Sequence, residues 1–366
     1  MKPFIKWPGG KSDELSHILQ HAPVGIARYF EPFVGGGAVY WGLPQADAYY
    51  LNDRSAKLMT LYRQVQSNLP AFLARVEQLD AFWTQLDTVA EASMASFSSL
   101  FLAARAGKSL ERGDIEQILT AQQDALLQQA DIPWILNRTQ FLQTLSQSVW
   151  QKLRRMLRLE AQKSPLSDGD IAVNITTGIK CGAYTYLRWV YNHRSICRLD
   201  PLTDSAVFYF IREYCYSSMF RYNKDGGFNV PYGGSSYNSK TLSPKLRPLL
   251  EADAQTRLSR TTLSSQDFEA FLSDQALNSQ DFIFLDPPYD TTFSTYAQNC
   301  FTSHDHERLA AFCRSTPAKF MLVIKNTDFI YKLYREFRMV NFEKRYLVSF
   351  QNRNAKEAEH LMIMNY

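Results

Sequence analysis

The chain has 366 residues, and its 45% apolar and 21% charged residues exclude a mainly disordered protein. Its length predicts two domains, at roughly 100–200 residues each. The formal net charge of +4 fits a nucleic-acid-binding protein, but it also fits many enzymes, so charge alone excludes neither class.

The first part of the chain predicts an alternation of helices and strands. Residues 12–21 carry apolar side chains at helical spacing, and Ser12 is predicted to cap this helix. Short apolar segments at 27–30 and 48–51 predict strands, with a glycine turn and a helix at 38–43 between them. This order of elements indicates the start of an open α/β sheet.

Residues 55–163 are predicted to be mostly helical, because apolar side chains recur at helical spacing and few glycines interrupt them. The part from 60 to 149 has a net charge of −3, which argues against a position on the phosphates of a nucleic acid. The last of these helices carries a basic cluster, which fits a solvated helix face and a phosphate contact equally well. The cluster consists of Lys152, Arg154, Arg155, Arg158 and Lys163.

Residues 205–222 are aromatic and apolar and lead into a glycine-rich stretch, 223–234, which predicts a turn and a hairpin or extended loop. Farther along, the alternation of strands and helices returns. The chain therefore predicts one α/β domain interrupted by a mostly helical insertion. The elements predicted after the hairpin are strands at 257–263, 281–285, 320–324, 344–350 and 360–365 and helices at 267–273, 303–313 and 328–337.

Five cysteines occur, an odd number without C-x-x-C spacing, which argues against a disulfide framework and against a zinc site. His304 and His306 flank Asp305, but a third ligand is not evident, so we expect no metal. No apolar run reaches the roughly 18–20 residues that cross a bilayer. These features predict a cytoplasmic protein that does not associate with a membrane.

The strongest chemical signal is Asp286-Pro287-Pro288-Tyr289, which follows a predicted buried strand. Ligands bind at the carboxyl ends of strands in open α/β sheets, and prolines fix the backbone there because they cannot continue the sheet. A carboxylate, an exposed Pro287 carbonyl and an aromatic ring suit a flat heterocycle with an exocyclic amine. The two acceptors would bind the amine hydrogens, and Tyr289 would stack on the ring. A plain turn that closes the strand is the alternative.

A glycine-rich turn from Gly35 to Gly37 follows the first strand, where glycines let a ligand approach the backbone closely. The dinucleotide fingerprint G-x-G-x-x-G is excluded because position 40 is Tyr. Asp53 ends the second strand and is well placed to bind ribose hydroxyls. A helix N-cap before Ser55 explains this carboxylate equally well.

The segment Lys6-Trp7-Pro8-Gly9-Gly10-Lys11-Ser12 is not a true phosphate-binding loop, because Ile5 stands where the first glycine is required. As a loop before a helix it still offers the Trp7 ring for stacking, backbone amides and the Lys11 cation. These groups suit a ligand site.

Together these motifs resemble those of the Dam-like, alpha-group DNA adenine methyltransferases, which methylate adenine N6. The family's K-W-x-G-G-K, E-P-F-x-G-x-G, acidic residue after the second strand, F-N-V-P-[FY]-G and D-P-P-Y occur here in that order. Five ordered motifs are far more specific than any one of them, and the resemblance covers about 1–65 and 205–366. The matching positions are 6–11, 31–37, Asp53, 228–233 and 286–289.

The resemblance implies a Rossmann-like, S-adenosylmethionine-dependent methyltransferase sheet with an inserted, mostly helical DNA-recognition domain. Residues 1–65 and 250–366 would form the catalytic domain, and residues 66–249 the target-recognition domain, with a hairpin near 208–234. S-adenosylmethionine would be the methyl donor, double-stranded DNA the substrate, and a cognate restriction or defence system a further partner. The target adenine would have to leave the base stack.

The matched motifs imply three groups of functional residues. The catalytic residues would be Asp286, Pro287 and Tyr289. The cofactor would be bound by Trp7, Lys11, Glu31, Phe33, Gly35, Gly37, Asp53 and Asp286. The predicted DNA contacts are Arg212, Tyr216, Arg221, Lys224 and Asn229; for the cations and for Tyr216, a solvated or a core position is the alternative.

The hairpin departs from the family pattern, since Ser217 and Ser218 stand in place of the usual Asn-Gly. The target sequence therefore does not carry over from the family. Cytosine N4 or an RNA base is an alternative substrate, although cytosine enzymes more often have Ser, and RNA or protein-glutamine enzymes Asn, in place of Asp286. A catalytically silent DNA-binding subunit is the second alternative, and cofactor binding would exclude it.

Overall fold

The computed structural model describes residues 1–122, 124, 126, 132–288, 301–345 and 357–366. The chain divides into two units, Met1–Leu69 together with Arg247–Tyr366, and Pro70–Leu246. The first unit is built around a β-sheet, and the second is mainly helical.

Seven strands form the sheet of the first unit in the described part of the chain. They are β1 (Arg28–Glu31), β2 (Ala48–Asn52), β3 (Thr261–Ser264), β4 (Phe282–Leu285), β5 (Lys319–Lys325), β6 (Arg338–Arg345) and β7 (Glu357–Met364). Their order is β3-β2-β1-β4-β5-β7-β6; the first five are parallel, and β7 is antiparallel to β5 and β6. The predicted α/β fold class is confirmed.

Helices alternate with the strands of this sheet along the chain and make up most of the second unit. In chain order the described α-helices are α1 (Leu15–His21), α2 (Ala38–Gly42), α3 (Ala56–Ser67), α4 (Leu69–Arg105), α5 (Arg112–Ala121), α6 (Arg138–Gln162), α7 (Asp168–Asn192), α8 (Arg194–Cys197), α9 (Pro201–Tyr214), α10 (Ala252–Ser259), α11 (Phe268–Ser273), α12 (Ser303–Ser315) and α13 (Asp328–Leu333). None of these described helices is both long enough and apolar enough to span a membrane.

β1 marks the point at which the chain changes direction across the sheet. From β1 the chain runs outward through β2 to β3, and it then returns to place β4 on the opposite side of β1. In open α/β sheets, ligands bind at the carboxyl ends of the strands at such a switch point. The topology therefore favours a site where β1 and β4 end.

The central strands are apolar along their whole length. All four residues of β4 are buried, and so are residues 320–324 of β5. Parallel strands of this kind need cover on both faces, because side chains of either orientation must leave water. This packing fixes the strand ends, where the motif residues lie.

The predicted start of the first helix is wrong. α1 begins at Leu15, and its N-cap residue is Glu14 rather than Ser12. The reason lies in Lys11, which is buried with its ammonium group on Asp286, so the chain around it forms a loop. Local helical spacing could not indicate that constraint.

Two later strand predictions need correction or fall partly outside the described residues. The strand predicted at 257–263 starts at Thr261, because the residues before it form α10. Arg257 in that helix donates hydrogen bonds to two backbone carbonyl oxygens at the end of α2. Of the strand predicted at 344–350, residues 346–350 lie outside the part of the chain that the structure describes.

α6 and α7 pack closely in the second unit, because glycines of α7 face the neighbouring helix. A Cβ atom added at Gly182 would lie 2.7 Å from the Cα atom of Leu145, and one at Gly178 would lie 3.3 Å from the Cα atom of Val149. These distances leave little or no room for a side chain, so the two backbones approach each other directly. α7 is thereby held firmly along its length.

The hairpin of the second unit begins later than predicted. Residues 208–214 belong to α9, whose aromatic side chains are buried. Isolated antiparallel bridges then join Cys215 to Tyr232 and Tyr222 to Phe228. We refer to residues 215–233 as the hairpin from here on.

Candidate functional site

Three carboxylates of the sequence motifs follow neighbouring parallel strands. Glu31 ends β1, Asp53 follows β2 and Asp286 follows β4. Because β2, β1 and β4 are adjacent and parallel, these ends meet at one edge of the sheet. The structure thus brings the three motifs together at the topological switch point.

Lys11 and Asp286 form an ion pair at this edge. The ammonium nitrogen of Lys11 lies 2.5 Å from Oδ1 of Asp286 and also donates to the carbonyl oxygen of Gly9 at 3.0 Å. The Lys11 side chain is 2% exposed, whereas that of Asp286 is 18% exposed. Lys11 thus contacts the carboxylate that is predicted to be catalytic, and its predicted role in cofactor binding stays a prediction. The buried cation stabilises negative charge on Asp286.

Glu31 is buried beneath the same edge. The hydroxyl group of Tyr29 donates to Oε2 of Glu31 at 2.8 Å. Burial raises the pKa of Glu31 well above its usual range, the Tyr29 hydrogen bond opposes this, and the charge of Asp286 adds to it. A buried carboxyl group of this kind would be stabilised in its ionised form by a cationic ligand group.

The glycine turn after β1 is tied to both Trp7 and Asp53. Gly35 has φ of +49°, and a Cβ atom added there would lie 2.7 Å from Cδ1 of Trp7. Its N–H group donates to Oδ2 of Asp53 at 3.1 Å. Gly37 has φ of +70°, and a Cβ atom there would lie 2.6 Å from the Tyr62 hydroxyl group. Both positions require glycine, for conformation and for space.

Asp53 accepts two backbone hydrogen bonds and does not cap a helix. Its second oxygen, Oδ1, accepts from the N–H group of Ser55 at 2.8 Å, and Ser55 itself is the N-cap of α3. Burial raises the pKa of Asp53 to about 6, although the two N–H groups favour its ionised form. The helix-cap alternative for Asp53 is therefore wrong.

Asn52 is a positioning residue that belongs to none of the sequence motifs. Its amide group donates to the carbonyl oxygens of Pro32 and Gln266 at 3.0 and 3.1 Å, and its oxygen accepts from the N–H group of Gln266 at 2.8 Å. One buried side chain at the end of β2 thus connects the loops that follow β1 and β3. A polar residue at the end of an apolar strand was the signal that could have identified it.

Phe33 contributes to an aromatic cluster at the same edge. Its ring lies 5.5 Å from that of Phe268 and 5.6 Å from that of Phe301, between ring centroids. Arg308 lies over the Phe268 ring at 4.9 Å and forms an ion pair with Asp267 at 2.6 Å. Phe33 is half-buried, so part of its ring is available to a ligand.

The remaining catalytic predictions rest on residues next to Asp286. Pro287 is buried and Pro288 is exposed. Tyr289, the predicted stacking ring, lies outside the described residues. Its role stays a prediction.

The histidines near residue 305 belong to a helix start. Thr302 and Asp305 form a reciprocal capping box at the beginning of α12. His306 is buried and its ring contacts those of Phe301 and Phe329. Within the described ranges, no group of three or more His, Cys, Asp or Glu residues is placed to hold a metal ion.

Arg212 does not face solvent, so the predicted direct contact with DNA does not fit the structure. The residue is 1% exposed, and its guanidinium group donates to the carbonyl oxygens of Ser218 and Met219 at 3.0 and 2.8 Å. The guanidinium also lies 4.6 Å from the centre of the Phe220 ring. Arg212 belongs to α9, which extends to Tyr214, and its side chain is buried in the unit. There it binds the backbone of the hairpin.

The other predicted DNA contacts lie on the hairpin surface. Tyr216 is 46% exposed, and Arg221 and Lys224 are exposed. Asn229 is half-buried, and its side-chain oxygen accepts a hydrogen bond from Nε of Arg221 at 3.0 Å. The hairpin thus presents one ring and two cations to solvent, with Asn229 orienting one of the cations.

Comparison with known proteins identifies relatives along the whole chain. The chain is 25% identical over 371 residues to the type II methyltransferase M.CviBI of Paramecium bursaria Chlorella virus NC1A, with 100% of both chains covered. It is 24% identical over 385 residues to the type II methyltransferase M.MjaIII of Methanocaldococcus jannaschii, covering 100% of this chain and 99% of the relative. A DNA adenine methylase of Vibrio cholerae is 34% identical over 145 residues, 37% of this chain and 50% of the relative.

A family model extends these similarities to most of the sequence. The model that describes D12 class N6 adenine-specific DNA methyltransferases matches residues 7–142 and 176–348. These ranges contain the glycine turn, Asp53, the hairpin and Asp286. The protein therefore belongs to the D12 class of N6 adenine-specific DNA methyltransferases.

Proposed function

We propose that the protein transfers a methyl group from S-adenosylmethionine to N6 of an adenine that is rotated out of duplex DNA. The observation that carries this proposal is the convergence of Asp286, Glu31 and Asp53 at the switch point of the sheet, with Lys11 bound to Asp286. One carboxylate can serve the substrate amine, and the other two lie where a nucleoside-containing cofactor would bind.

The residues at the glycine turn fit S-adenosylmethionine. Asp53 would accept hydrogen bonds from the ribose hydroxyls, and the buried carboxyl group of Glu31 would pair with the amino group of the cofactor. Trp7 and Phe33 would pack against its apolar parts. When bound, the cofactor supplies an electrophilic methyl group. These side chains would hold the cofactor in the site.

Asp286 and the Pro287 carbonyl would act on the adenine amine. The lone pair of N6 is delocalised into the purine ring, which makes the amine a weak nucleophile. Two acceptors that bind its hydrogens localise the lone pair and orient it. As N6 gained a bond to the methyl carbon, that carbon would lose its bond to sulfur, and N6 would lose a proton, for which the Asp286 carboxylate would be an acceptor. Lys11 would keep Asp286 ionised before methyl transfer, which is the form that accepts hydrogen bonds from the amine.

The adenine must leave the helix, because its amine is paired and shielded inside the duplex. Unstacking costs about a few kcal/mol, which contacts to phosphate groups and stacking on an aromatic ring would offset. Tyr289 is the ring that we propose for this contact.

We further propose that the protein methylates DNA in the cytoplasm beside a restriction nuclease of the same specificity. The similarity to two proteins named type II methyltransferases supports this pairing. The expected result is that cells which carry such a nuclease survive only while this methyltransferase is active.

Asp286→Asn tests the proposed chemistry. We expect methyl transfer to fall by about 10²–10³-fold or more, because the amide lacks the charge and presents a donor toward the amine. DNA binding should change little, since the shape of the side chain is retained, and calorimetry measures separately any effect on the cofactor, for which Asp286 is also a predicted contact. The rate is measured as labelled methyl transfer to DNA, and nucleoside analysis identifies the product as N6-methyladenine or N4-methylcytosine.

Asp274→Asn is the matched control, because Asp274 is an exposed carboxylate of the same unit. Asp286→Ala is less informative, since it removes the counter-charge of Lys11, as Asn does, and also leaves the ammonium group without a side-chain acceptor at this position. A correctly folded Asp286→Asn protein that methylates at the wild-type rate would overturn the assignment. Absence of S-adenosylmethionine binding in calorimetry would instead indicate a silent DNA-binding subunit.

A further inference from the structure

One face of α7 carries four long polar side chains at intervals of four residues: Lys180, Tyr184, Arg188 and Asn192. Side chains four positions apart lie on the same side of an α-helix. All four contact the backbone of the hairpin or of the segment that follows it. We call these four residues the α7 stripe.

We propose that the α7 stripe positions the hairpin, so that Tyr184, Arg188 and Asn192 determine DNA sequence discrimination without contacting DNA. This inference rests on the proposed function, because it assumes that the hairpin reads DNA. The three residues are positioning residues that act through the hairpin backbone.

Asn192 fixes one residue of the hairpin through both of its backbone groups. The side-chain oxygen of Asn192 accepts from the N–H group of Phe228 at 2.8 Å, and its amide nitrogen donates to the carbonyl oxygen of Phe228 at 3.0 Å. A neighbouring β-strand would make the same pair of hydrogen bonds. Asn192 thus makes the two hydrogen bonds that a neighbouring strand would make to the backbone of Phe228.

Val230 is held by two further residues of the stripe. Its carbonyl oxygen accepts from the hydroxyl group of Tyr184 and from Nη1 of Arg188, both at 2.9 Å. Phe228 and Val230 are buried, whereas Asn229 is half-buried and Pro231 is exposed. In an extended segment alternate residues face opposite sides, so anchoring 228 and 230 sets the direction of the residues between and after them.

Lys180 extends the stripe to the chain beyond the hairpin. Its ammonium nitrogen donates to the carbonyl oxygen of Asn238 at 2.5 Å and pairs with Asp87 at 2.7 Å. The Asn238 side chain donates to Oγ1 of Thr177, one turn earlier on α7, at 3.0 Å. The chain at Asn238, which follows the hairpin, is therefore attached to two successive turns of α7.

The hairpin needs this support because its own pairing is sparse. The described hairpin residues have two isolated bridges and no continuous ladder. A two-stranded hairpin is marginally stable alone, and a shift of one residue would turn each side chain to the opposite face. α7 is held in turn by its close glycine contacts with α6. The anchored side of the hairpin is bonded to the other side, since the N–H group of Tyr216 donates to the Pro231 carbonyl at 2.8 Å and that of Asn229 to the Arg221 carbonyl at 3.2 Å. The stripe therefore sets the positions of Tyr216 and Arg221.

The first test compares Asn192→Ala with Asn174→Ala. Asn174 lies on the same helix, but its amide donates to the Asp170 carbonyl within the helix. The recognition sequence is first identified by mapping methylated adenines in a methylation-free host. For Asn192→Ala we expect the ratio of kcat/KM between that sequence and single-base variants to fall by about tenfold. KM for DNA should rise more than kcat falls, and cofactor affinity should stay unchanged.

The second test compares two tyrosines of α7. Tyr184→Phe removes the hydroxyl that binds Val230, whereas Tyr186→Phe removes a hydroxyl that accepts from the N–H groups of Leu136 and Asn137. Both changes remove one buried hydroxyl group, so both should lower the thermal midpoint. We expect reduced sequence discrimination only for Tyr184→Phe. Equal discrimination in Tyr184→Phe and Tyr186→Phe would overturn the proposal.

Amide hydrogen exchange separates this inference from the proposed function. If the wild-type protein methylates no DNA, the proposed function fails, but Asn192→Ala should still speed exchange of the Phe228 amide by about tenfold or more. Asn174→Ala should leave that amide unchanged. An unchanged Phe228 exchange rate in Asn192→Ala would show that the stripe does not position the hairpin.

Discussion

Asp53 illustrates how burial changes the chemistry of one residue. Burial raises its pKa to about 6, against a value near 3.9 for an unperturbed Asp. Between these pH values the folded protein binds a proton that the unfolded chain has released, so this group lowers stability as pH rises toward 6. The ionised carboxylate is therefore retained at neutral pH at a cost in stability, which fits a ligand-binding role.

We predict that S-adenosylmethionine binds wild-type protein more weakly below pH 6. The ionised Asp53 accepts ribose hydroxyls, so the dissociation constant should rise by up to about tenfold per pH unit as the carboxyl group protonates. Asp53→Asn should bind more weakly at pH 7.5 and show a smaller pH dependence, because only the buried carboxyl group of Glu31 then titrates at the cofactor site. Calorimetric titrations between pH 5 and pH 7.5, at roughly half-unit steps, measure both. A wild-type curve as flat as that of the variant would contradict the assignment.

Two residues of the hairpin have a strained backbone conformation. Ser217 and Ser218 have φ of +51° and +52°, a region that costs non-glycine residues about 1–2 kcal/mol each. The carbonyl oxygen of Ser218 is held by Arg212 from inside the unit. Arg212 therefore acts as a support for this turn, which explains why a cation is buried there.

Glycine at position 218 should relieve part of this strain. We predict that Ser218→Gly raises the free energy of unfolding by about 0.5–1 kcal/mol, since the backbone penalty exceeds the added entropy of the unfolded chain. Ser218→Val should lower it by about 1 kcal/mol or more. Urea unfolding measures both changes. Ser236→Gly is the control, because Ser236 has no positive φ, and an equal gain there would contradict the explanation.

At the scale of the whole molecule, the charge is unevenly distributed and partly internal. Residues 150–225 hold 12 basic and 7 acidic side chains. Lys180 and Arg212 of this segment are buried in the second unit, where they bind backbone carbonyl oxygens. Exposed cations of this segment lie both on the hairpin and on α6, where Arg154, Arg155 and Arg158 are exposed.

We predict that the combined change Arg221→Ala and Lys224→Ala weakens DNA binding and reduces its salt dependence. Each lost phosphate contact lowers the slope of log K against log salt by about 0.9, so the double variant should lose about 1.8. The control, Lys108→Ala with Arg138→Ala, removes the same charge from exposed positions between residues 60 and 149. Fluorescence anisotropy at several salt concentrations measures the slopes. Identical slopes for the two double variants would exclude specific phosphate contacts by the hairpin.

The amino-acid sequence alone determined the fold class, the order of the motifs and the family. These depend on local patterns, because alternating strands and helices and the motifs that follow them occupy short, continuous stretches. The sequence also indicates that the carboxyl ends of β1, β2 and β4 meet at one edge. Parallel strands joined by helical crossovers leave few other arrangements.

Only the tertiary structure decided what the individual cations do. Lys11 contacts a carboxylate 275 positions away, and Arg212 turns inward to hold the hairpin, whereas Arg221 stays exposed. The three side chains look alike in sequence, because burial depends on which distant elements pack around each one. The α7 stripe is likewise recognisable only once the hairpin lies on the helix, where the side-chain partners are backbone groups that carry no sequence signature.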